Sequence, residues 1–422
     1  MRARGLTRHD ASFAGKRFRV QIPTSPLKMP SCKSVYDPRE DSTMLEKHVR
    51  EYSFGDVLDM GTGSGIQAIT ASYNDKVDSI IALDIQEEVV GFCRKHIVNK
   101  KISFFASDLF EIFQKNKLLK NKKFDTIIFN PPYLPQELKV RDLTLEGGKK
   151  GYEVLEKFLN EVNNFLKSEG IVLIVFSSLT KKEKVGEFIR NNLLDFELLE
   201  KQDYFFEELY VYKLKKSDLL KKLECKKISN VHYLTKGKRG LIFTGECKNR
   251  KVAIKAENPR SGAIERISNE ANFLKKLNKK GIGPKLLIHE KEFLAYEFAE
   301  GVLFMDFIGK NSKKAILKMI KDIFDQMHKM DKMSINKEEM SHPQKHIIIG
   351  KKPVLLDFEK CHYVKSPGNV TQFCDFIMSK SVSAILEEKE ININKEKLIS
   401  LAKGYRKNPD KKSLESIVRG LK

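Results

Sequence analysis

The chain has 422 residues, 41% of them hydrophobic, and a formal net charge of +22. This length favours two globular domains. No apolar run approaches the roughly 18 residues of a membrane-spanning helix, so we expect a cytoplasmic protein outside the membrane. The charge permits an encounter with RNA or the ribosome, although a solvated lysine-rich surface would have the same composition.

The cysteines are dispersed along the chain, and none forms a CxxC pair. Such spacing predicts reduced thiols and argues against a zinc site or a disulfide framework built on them. The residues concerned are Cys32, Cys93, Cys225, Cys247, Cys361 and Cys374.

Residues 1–28 carry many basic side chains against the single acid Asp10. They are not a signal peptide, because no apolar segment follows the charges. Codons for residues 19–23 can contain GTTCAAATCC, which reads like the T-arm of a tRNA gene. We therefore expect 1–28 to be a non-native or disordered extension before Met29, with a basic nucleic-acid-binding arm as the alternative.

Between residues 29 and 215, short apolar strand patterns alternate with helical patterns. Strands are predicted at 56–60, 79–83, 102–106, 124–129 and 171–176, and near 196–201 and 209–213. Helices are predicted at 43–52, 66–73, 87–99 and 152–168. This alternation predicts a parallel, doubly wound α/β sheet of the Rossmann-like kind.

The tetrapeptide Asn130-Pro131-Pro132-Tyr133 follows the fourth predicted strand. Ligands of open α/β sheets bind at the carboxyl ends of the strands. The prolines stiffen the turn, and the carbonyl of Pro131 stays free to accept a hydrogen bond. The Asn130 amide oxygen, this carbonyl and the ring of Tyr133 therefore suit a planar group that carries an NH2.

A tight turn with Gly61, Gly63 and Gly65 follows the first strand. Glycine lets the backbone approach a ligand closely. Because the pattern is Gly-x-Gly-x-Gly after Asp59, it favours S-adenosylmethionine over NAD. Asp59 is predicted to hold the methionine ammonium. Two further carboxylates end the next strands: Asp84 suits the ribose hydroxyls and Asp108 the adenine amino group.

These motifs together resemble the HemK family of S-adenosylmethionine-dependent methyltransferases. The stretches Val35-Tyr36-x-Pro38-x-Glu40-Asp41-Ser42, Gly147-Gly148-x-x-Gly151 and Phe205-Phe206-Glu207 resemble its archaeal and eukaryotic branch. That resemblance implies methylation of a glutamine side-chain amide in a translation release factor. It also implies a small zinc-binding activator protein as partner, since too little chain precedes Val35 for the helical recognition domain of bacterial members.

An amide nitrogen is a poor nucleophile because its lone pair is delocalised into the carbonyl. Asn130 and Pro131 are predicted to accept both of its N–H bonds and aim the nitrogen at the methyl group, with Tyr133 packed on the amide plane. The same acceptors would suit the N6 amine of adenine in nucleic acid, and they do not exclude lysine.

After a charged stretch at 216–227, predicted to be a linker, residues 228–422 have strands first and helices later. Val252-Ala253-Ile254-Lys255 is similar to the lysine strand of protein kinases, and Glu270 is the predicted partner of Lys255. Gly237 and Gly240 would cover the phosphates of ATP, residues 296–301 resemble a hinge between lobes, and Asp357 would bind Mg2+.

This order resembles an archaeal branch of Ser/Thr kinases related to the RIO kinases, which implies a bilobal α+β kinase-like domain. The His-Arg-Asp motif is missing, so the expected base is Glu338 or Glu339, with Glu339 preferred. His346 stands where a metal-binding Asn is expected. The sequence leaves two alternatives for this domain, an atypical kinase and a pseudokinase that only binds.

Overall fold

The computed structural model describes residues 36–134, 147–236, 240–257, 266–338 and 340–421. The predicted extension 1–28 lies outside them. Within this part of the chain, no helix combines the length and apolarity needed to cross a bilayer. The chain divides into two compact units. The first reaches Val185 and adds Phe196–Lys215, and the second comprises Gly186–Asp195 and the chain from Lys216 onward.

The first unit is built on a seven-stranded sheet of order β3-β2-β1-β4-β5-β7-β6. Its strands are β1 (Gly55–Met60), β2 (Val77–Asp84), β3 (Ile102–Ala106), β4 (Phe124–Phe129), β5 (Leu166–Ser177), β6 (Leu194–Asp203) and β7 (Glu208–Lys216). Its helices are α1 (Glu40–Tyr52), α2 (Ile66–Ser72), α3 (Glu87–His96), α4 (Ile112–Lys115) and α5 (Glu153–Glu161), and the division between the units falls within α6 (Lys182–Asn191).

Both faces of this sheet are covered, which explains why its central strands are apolar throughout. On one face, Met44, Leu45 and Val49 of α1 are buried with Ala68 and Ala71 of α2. On the other face an aromatic cluster packs, in which the rings of Phe110 and Phe165 stack with centroids 4.3 Å apart. Buried apolar side chains therefore hold β1 and β4 rigidly at the centre.

The sheet is mixed, not wholly parallel as predicted. Strands β1 to β5 are parallel, but β7 runs antiparallel to β5. Only a few residues separate β6 from β7, and a parallel connection needs a dozen or more. The helix predicted at 152–168 also ends early, at Glu161, because a 3-10 turn follows and β5 already begins at Leu166.

The second unit contains a five-stranded antiparallel sheet of order β11-β12-β10-β9-β8. These strands are β8 (Ile228–Lys236), β9 (Gly240–Cys247), β10 (Arg250–Glu257), β11 (Leu286–His289) and β12 (Phe293–Glu297). Two small sheets follow, built from β13 (Val302–Leu303), β15 (Ile347–Ile349) and β16 (Pro353–Leu355), and from β14 (Ile335–Asn336) and β17 (His362–Tyr363).

The helices of this unit are α7 (Asp218–Cys225), α8 (Arg266–Asn278), α9 (Phe304–Lys310), α10 (Lys313–Lys332), α11 (Asn369–Met378), α12 (Lys380–Glu388), α13 (Lys395–Lys407) and α14 (Lys411–Arg419). The stretch 216–227, predicted to be a linker, contains helix α7, which buries Leu220 and Leu223. Frequent lysines on its exposed face hid this apolar spacing.

A buried carboxylate joins three helices of the second unit. Asp331 at the end of α10 accepts hydrogen bonds from Asn369 Nδ2 (2.7 Å) and from the Tyr405 hydroxyl (3.1 Å). Burial raises the pKa of Asp331 to about 6. Because polar groups this deep need partners, the cluster fixes how α11 and α13 pack on α10.

Candidate functional site

A cavity of about 200 Å³ lies at the carboxyl edge of the sheet in the first unit. Its walls come from the segments after β1 (61–64), after β2 (84–86), after β3 (107–109) and after β4 (130–134). Tyr36, which precedes α1, and Asp41 and Ser42, in the first turn of α1, also line it. The sheet therefore brings four loops of the sequence together at one place, as parallel topology requires.

The glycine turn after β1 has a left-handed backbone conformation that residues other than glycine rarely adopt. The φ angles of Gly61, Gly63 and Gly65 are 66°, 52° and 81°. The Gly63 N–H donates to Asp84 Oδ2 (3.0 Å), and the Gln86 N–H donates to Asp84 Oδ1 (3.0 Å). Burial raises the pKa of Asp84. The carboxylate is thus held in place beside the turn, on the cavity wall.

Asn130 is oriented by two residues of α1. Its Nδ2 donates to Asp41 Oδ2 (3.1 Å) and to Ser42 Oγ (3.2 Å). Its Oδ1 is buried and accepts no hydrogen bond from any described residue. Since Asn130 lines the cavity, this oxygen is an acceptor available to a bound donor.

Tyr133 and Tyr36 line the same end of the cavity. Burial and the charges of Asp41 and Glu207 raise the pKa of the Tyr133 hydroxyl. Burial and Asp41, which accepts a hydrogen bond from the Tyr36 hydroxyl, do the same for Tyr36. Both rings therefore stay neutral at physiological pH, and neither supplies a base.

A family profile described as the methyltransferase small domain matches residues 34–206. A protein of Methanocaldococcus jannaschii, provisionally named a protein N5-glutamine methyltransferase, is 34% identical over 192 residues, which cover 44% of this chain and 93% of that protein. The chain belongs to the methyltransferase small-domain family. Its first unit is accordingly an S-adenosylmethionine-dependent methyltransferase fold.

Two further relatives are more distant from this methyltransferase unit. A release factor glutamine methyltransferase of Bacillus cereus is 30% identical over 144 residues, which cover 30% of this chain and 48% of that protein. The chain thus spans about half the length of this bacterial relative. A solved structure of the E. cuniculi Mtq2–Trm112 complex is 22% identical, covers 44% of this chain and 99% of that chain, and has a TM-score of 0.35, too low to support an inference.

The methyltransferase unit gathers most of the predicted site residues on the cavity wall. The wall includes Gly61, Gly63, Asp84, Asp108, Asn130, Pro131 and Tyr133. Asp108 also forms a half-exposed ion pair with Lys157 (2.9 Å). This arrangement fits the cofactor that the family implies, because close-approach glycines, two carboxylates and an unsatisfied acceptor converge there.

Two predicted residues lie behind that wall instead. Gly65 is the N-cap of α2 and has a left-handed φ of 81°, a conformation that favours glycine, so the turn itself requires this residue, and its contact with the cofactor stays a prediction. Asp59 is only 1% exposed and accepts a hydrogen bond from Thr62 Oγ1 (2.6 Å). Burial raises the pKa of Asp59 to about 7. Asp59 is therefore linked to the cavity wall by Thr62, and its contact with the methionine ammonium stays a prediction.

No role for Asp41, Ser42 or Gln67 was evident from the sequence. The first two lie in the stretch that carries the family resemblance, so a signal was present without a role attached to it. Gln67 has no such signal. Its Nε2 donates to the Ser42 carbonyl (2.9 Å), while its buried Oε1 has no partner among the described residues.

The second unit contains a separate charged cluster around Lys255 on β10. Its ammonium lies 2.7 Å from Glu270 Oε2 on α8, 3.1 Å from Asp357 Oδ1 and 3.2 Å from Glu359 Oε2. Asp357 has a left-handed φ of 63°. The neighbouring Phe358 N–H donates to Glu270 Oε1 (3.2 Å), which ties the strand end to the helix.

The other residues predicted for the ATP and metal site of the second unit lie at varying distances from this cluster or outside the described residues. Gly240 lies close to Lys255: a Cβ atom added at Gly240 would be 3.9 Å from Lys255 Cε. His346 Nε2 is 3.8 Å from Asp357 Oδ2, and Glu338 Oε1 is 3.8 Å from His362 Nδ1. Gly237 and Glu339 lie outside the described residues.

The carboxylates that could share a cation in the described part of the second unit are Glu270, Asp357 and Glu359. His346 is not among them, and its predicted role as a metal ligand stays a prediction. Glu359 was not predicted as a ligand.

Proposed function

We propose that the first unit transfers a methyl group to the side-chain amide of a glutamine in a translation release factor. The observation that carries this proposal is the buried Asn130 Oδ1, which lines the cavity and has no partner in the described chain. An unsatisfied buried acceptor costs about 1–3 kcal/mol unless a ligand donates to it. An NH2 group is the matching donor.

The chain's own residues supply positioning, not a base. Asn130 Oδ1 accepts one N–H of the amide and the Pro131 carbonyl accepts the other, so the nitrogen is held in one orientation. Both acceptors would also stabilise the positive charge that develops on nitrogen as the N–CH3 bond forms and the S–CH3 bond of the donor breaks. The donor would leave as the neutral thioether, and the excess amide proton would be lost to solvent, so that the product is a neutral N-methyl amide. The neutral ring of Tyr133 packs on the amide plane and excludes water.

The methyl donor would be S-adenosylmethionine, whose sulfonium supplies an activated methyl group. Asp84 would accept from the ribose hydroxyls, Asp108 from the adenine amino group, and the turn at 61–64 would pass under the methionine part. Asp59 would favour the methionine ammonium through Thr62 and through its charge in a low-dielectric surrounding.

The glutamine acceptor is favoured by the names of the relatives, while adenine N6 and lysine are the competing acceptors. A test offers labelled donor with purified release factor, release factor with the modified glutamine changed to asparagine, duplex DNA, and histone-type lysine peptides. Methylation of intact release factor alone supports the proposal. Methylation of DNA or lysine, with release factor untouched, contradicts it.

The variant Asn130→Ala sharpens this test. It should lower turnover by on the order of 100-fold or more, because one preorganised hydrogen-bond partner is lost. The dissociation constant for S-adenosylmethionine, measured by calorimetry, should stay within about twofold of wild type. Loss of donor binding in a folded variant would show that Asn130 serves the cofactor instead.

A small zinc-binding activator protein is the partner that the resemblance implies. In the described sheet β3 is an edge strand, and an edge strand can accept a strand from another chain. We expect co-expression with such an activator to raise the yield and turnover of the methyltransferase unit. Equal yield and turnover with and without the activator would contradict this partnership.

We propose a second activity, ATP and Mg2+ binding with slow phosphoryl transfer, for the kinase-like second unit. The 2.7 Å pair between Lys255 and Glu270 favours it, because this pair positions the ATP phosphates in kinases. Asp357 would bind the metal. A Mg2+-dependent thermal shift with ATP, together with autophosphorylation that Asp357→Ala removes, tests the proposal. No shift with Mg2+ or Mn2+ would make the unit a binding module.

A further inference from the structure

We propose that Asp41, itself held by Tyr36, is a positioning residue that determines which end of the Asn130 side-chain amide faces the methyl acceptor. This inference rests on the proposed amide methylation and assigns Asp41 a role that it exerts through Asn130. It concerns the first unit alone.

The need for such a residue comes from the shape of an asparagine side chain. Its oxygen and its NH2 group are almost equal in size, so a half-turn about χ2 exchanges an acceptor for two donors. If Asn130 presented its NH2 to a substrate NH2, two donors would face each other and the preorganised acceptor would be lost. Packing alone does not discriminate the two orientations.

Asp41 supplies the discrimination. An ionised carboxylate only accepts hydrogen bonds, so Asp41 Oδ2, 3.1 Å from Asn130 Nδ2, can pair with the NH2 end but not with the oxygen. Ser42 Oγ, 3.2 Å from the same nitrogen, can donate or accept and would pair with either end. Of these two partners, Asp41 alone imposes a direction.

Asp41 is itself fixed on its other side. Its Oδ1 accepts the Ser42 backbone N–H (2.6 Å), and the Tyr36 hydroxyl lies 3.1 Å from both carboxylate oxygens. The residue is 3% exposed. The Tyr36 O–H and the Ser42 N–H both donate hydrogen bonds to Asp41, which matches a carboxylate that acts only as an acceptor, toward Asn130 as well. The chain Tyr36–Asp41–Asn130 therefore has one polarity and ends at the free acceptor oxygen.

The first test removes the constraint on the orientation of the Asn130 amide and keeps the volume of the side chain at position 41. In Asp41→Asn the new side chain can donate or accept, so both orientations of Asn130 become possible. We expect turnover to fall by about 10–100-fold, since small misplacements at a reacting centre have effects of this size. Donor affinity should change less than about twofold. Glu51→Gln, an exposed acid on the same helix, is the charge-matched control.

The decisive test exchanges the two groups. Asn130→Asp alone places two carboxylates side by side, so one of them should take up a proton and turnover should become dependent on pH. In the double variant Asp41→Asn/Asn130→Asp, the introduced amide donates to the introduced carboxylate, which again directs an acceptor at the cavity. We expect the double variant to be more active than either single variant and to lose most of that pH dependence.

A measurement that needs no methyl acceptor distinguishes this inference from the proposed function. In asparagine-labelled protein, the NMR signals of the Asn130 NH2 protons should exchange slowly with water in wild type, and faster in Asp41→Asn and Tyr36→Phe. Tyr73→Phe, an exposed tyrosine, is the control for the second change. Failure of release factor methylation leaves this readout intact.

Two results would overturn the positioning role. One is unchanged exchange of the Asn130 protons in Asp41→Asn. The other is a double variant no more active than the worse single variant, measured on whichever acceptor the wild-type protein methylates.

Discussion

The backbone N–H of Gly63 donates to Asp84 Oδ2 across 3.0 Å, although 21 positions separate the two residues. This bond joins the glycine turn after β1 to the end of β2. It means that the carboxylate predicted to hold ribose also holds the turn that approaches the methionine part. A change at Asp84 should therefore affect two parts of the donor site together.

We expect Asp84→Asn to weaken S-adenosylmethionine binding by about 10–100-fold, since hydrogen bonds to charged groups are worth roughly 1.5–3 kcal/mol. The amide cannot accept both the Gly63 and the Gln86 N–H groups, which sharpens the loss. Isothermal calorimetry measures it. Asp78→Asn, an exposed acid earlier on β2, is the matched control and should leave the affinity unchanged. Equal effects of the two changes would show a general charge effect.

The raised pKa of Asp59 predicts that the affinity for S-adenosylmethionine depends on pH. Burial, with the charge of Asp84 as a smaller cause, raises its pKa to about 7, and the Cys93 thiol is the other titratable group nearby. Below pH 7 the free protein holds a proton on Asp59. A cationic ligand favours the ionised form, so binding releases that proton and the affinity rises with pH.

At pH 6 about one tenth of the protein would carry ionised Asp59, so the dissociation constant should be about tenfold larger than at pH 8. Calorimetry in buffers of different ionisation enthalpy should detect the released proton. Asp59→Asn should remove that part of the pH dependence. If the variant keeps the wild-type pH profile, the titrating group is another one.

The site was largely predictable where sequence position and sheet topology coincide. Carboxyl ends of parallel strands share one edge, so a turn after β1, an acid after β2 and Asn130 after β4 had to meet. The direction of each side chain was not predictable, because it depends on packing. Asp59 points beneath the turn, and Asp41, from a helix far away in sequence, provides the contact that orients Asn130.

The strand direction, in contrast, could have been predicted. Residues 194–216 have strand patterns that a parallel or an antiparallel arrangement would satisfy equally. The short connection at 204–207 excludes the parallel one, and it was visible in the sequence. In the second unit, the pairing of Lys255 with Glu270 was expected from the resemblance to protein kinases, whereas the contact with Glu359 needed the fold.

Lys255 in the second unit is predicted to be important for stability. In Lys255→Met the buried Glu270 loses its partner, which typically costs about 3–5 kcal/mol. The double variant Lys255→Met/Glu270→Gln should be more stable than Lys255→Met, since no buried charge is left on α8. Urea unfolding, followed by hydrogen exchange in β10 and α8, reports on this unit alone.

Lys321→Met is the control for that change, because its ion pair with Asp325 is exposed on α10. Such pairs contribute at most about 0.5 kcal/mol. A loss in Lys255→Met as small as in Lys321→Met would mean that Glu270 readily takes up a proton and that the pair adds little.

Gly147 allows the loop at 147–151 to approach closely the turn that carries Asn130 and Pro131. A Cβ at this position would lie 2.5 Å from the Pro132 carbonyl oxygen and 2.4 Å from that of Gly151. Both are backbone atoms, so neither can move without displacing its segment. The Gly147 N–H also donates to the Leu134 carbonyl (2.9 Å), which fixes the loop against the turn.

We therefore expect Gly147→Ala to shift the turn that carries Pro131 and Pro132 and to lower turnover by about 10–100-fold. Overpacking of this kind should also cost about 1–3 kcal/mol of stability. Gly91→Ala is the control, because a Cβ there meets open space on helix α3 and alanine favours helix by up to about 1 kcal/mol. Methylation assays and thermal unfolding of both variants check this. Full activity in Gly147→Ala would show that the Asn130 turn is positioned without this loop.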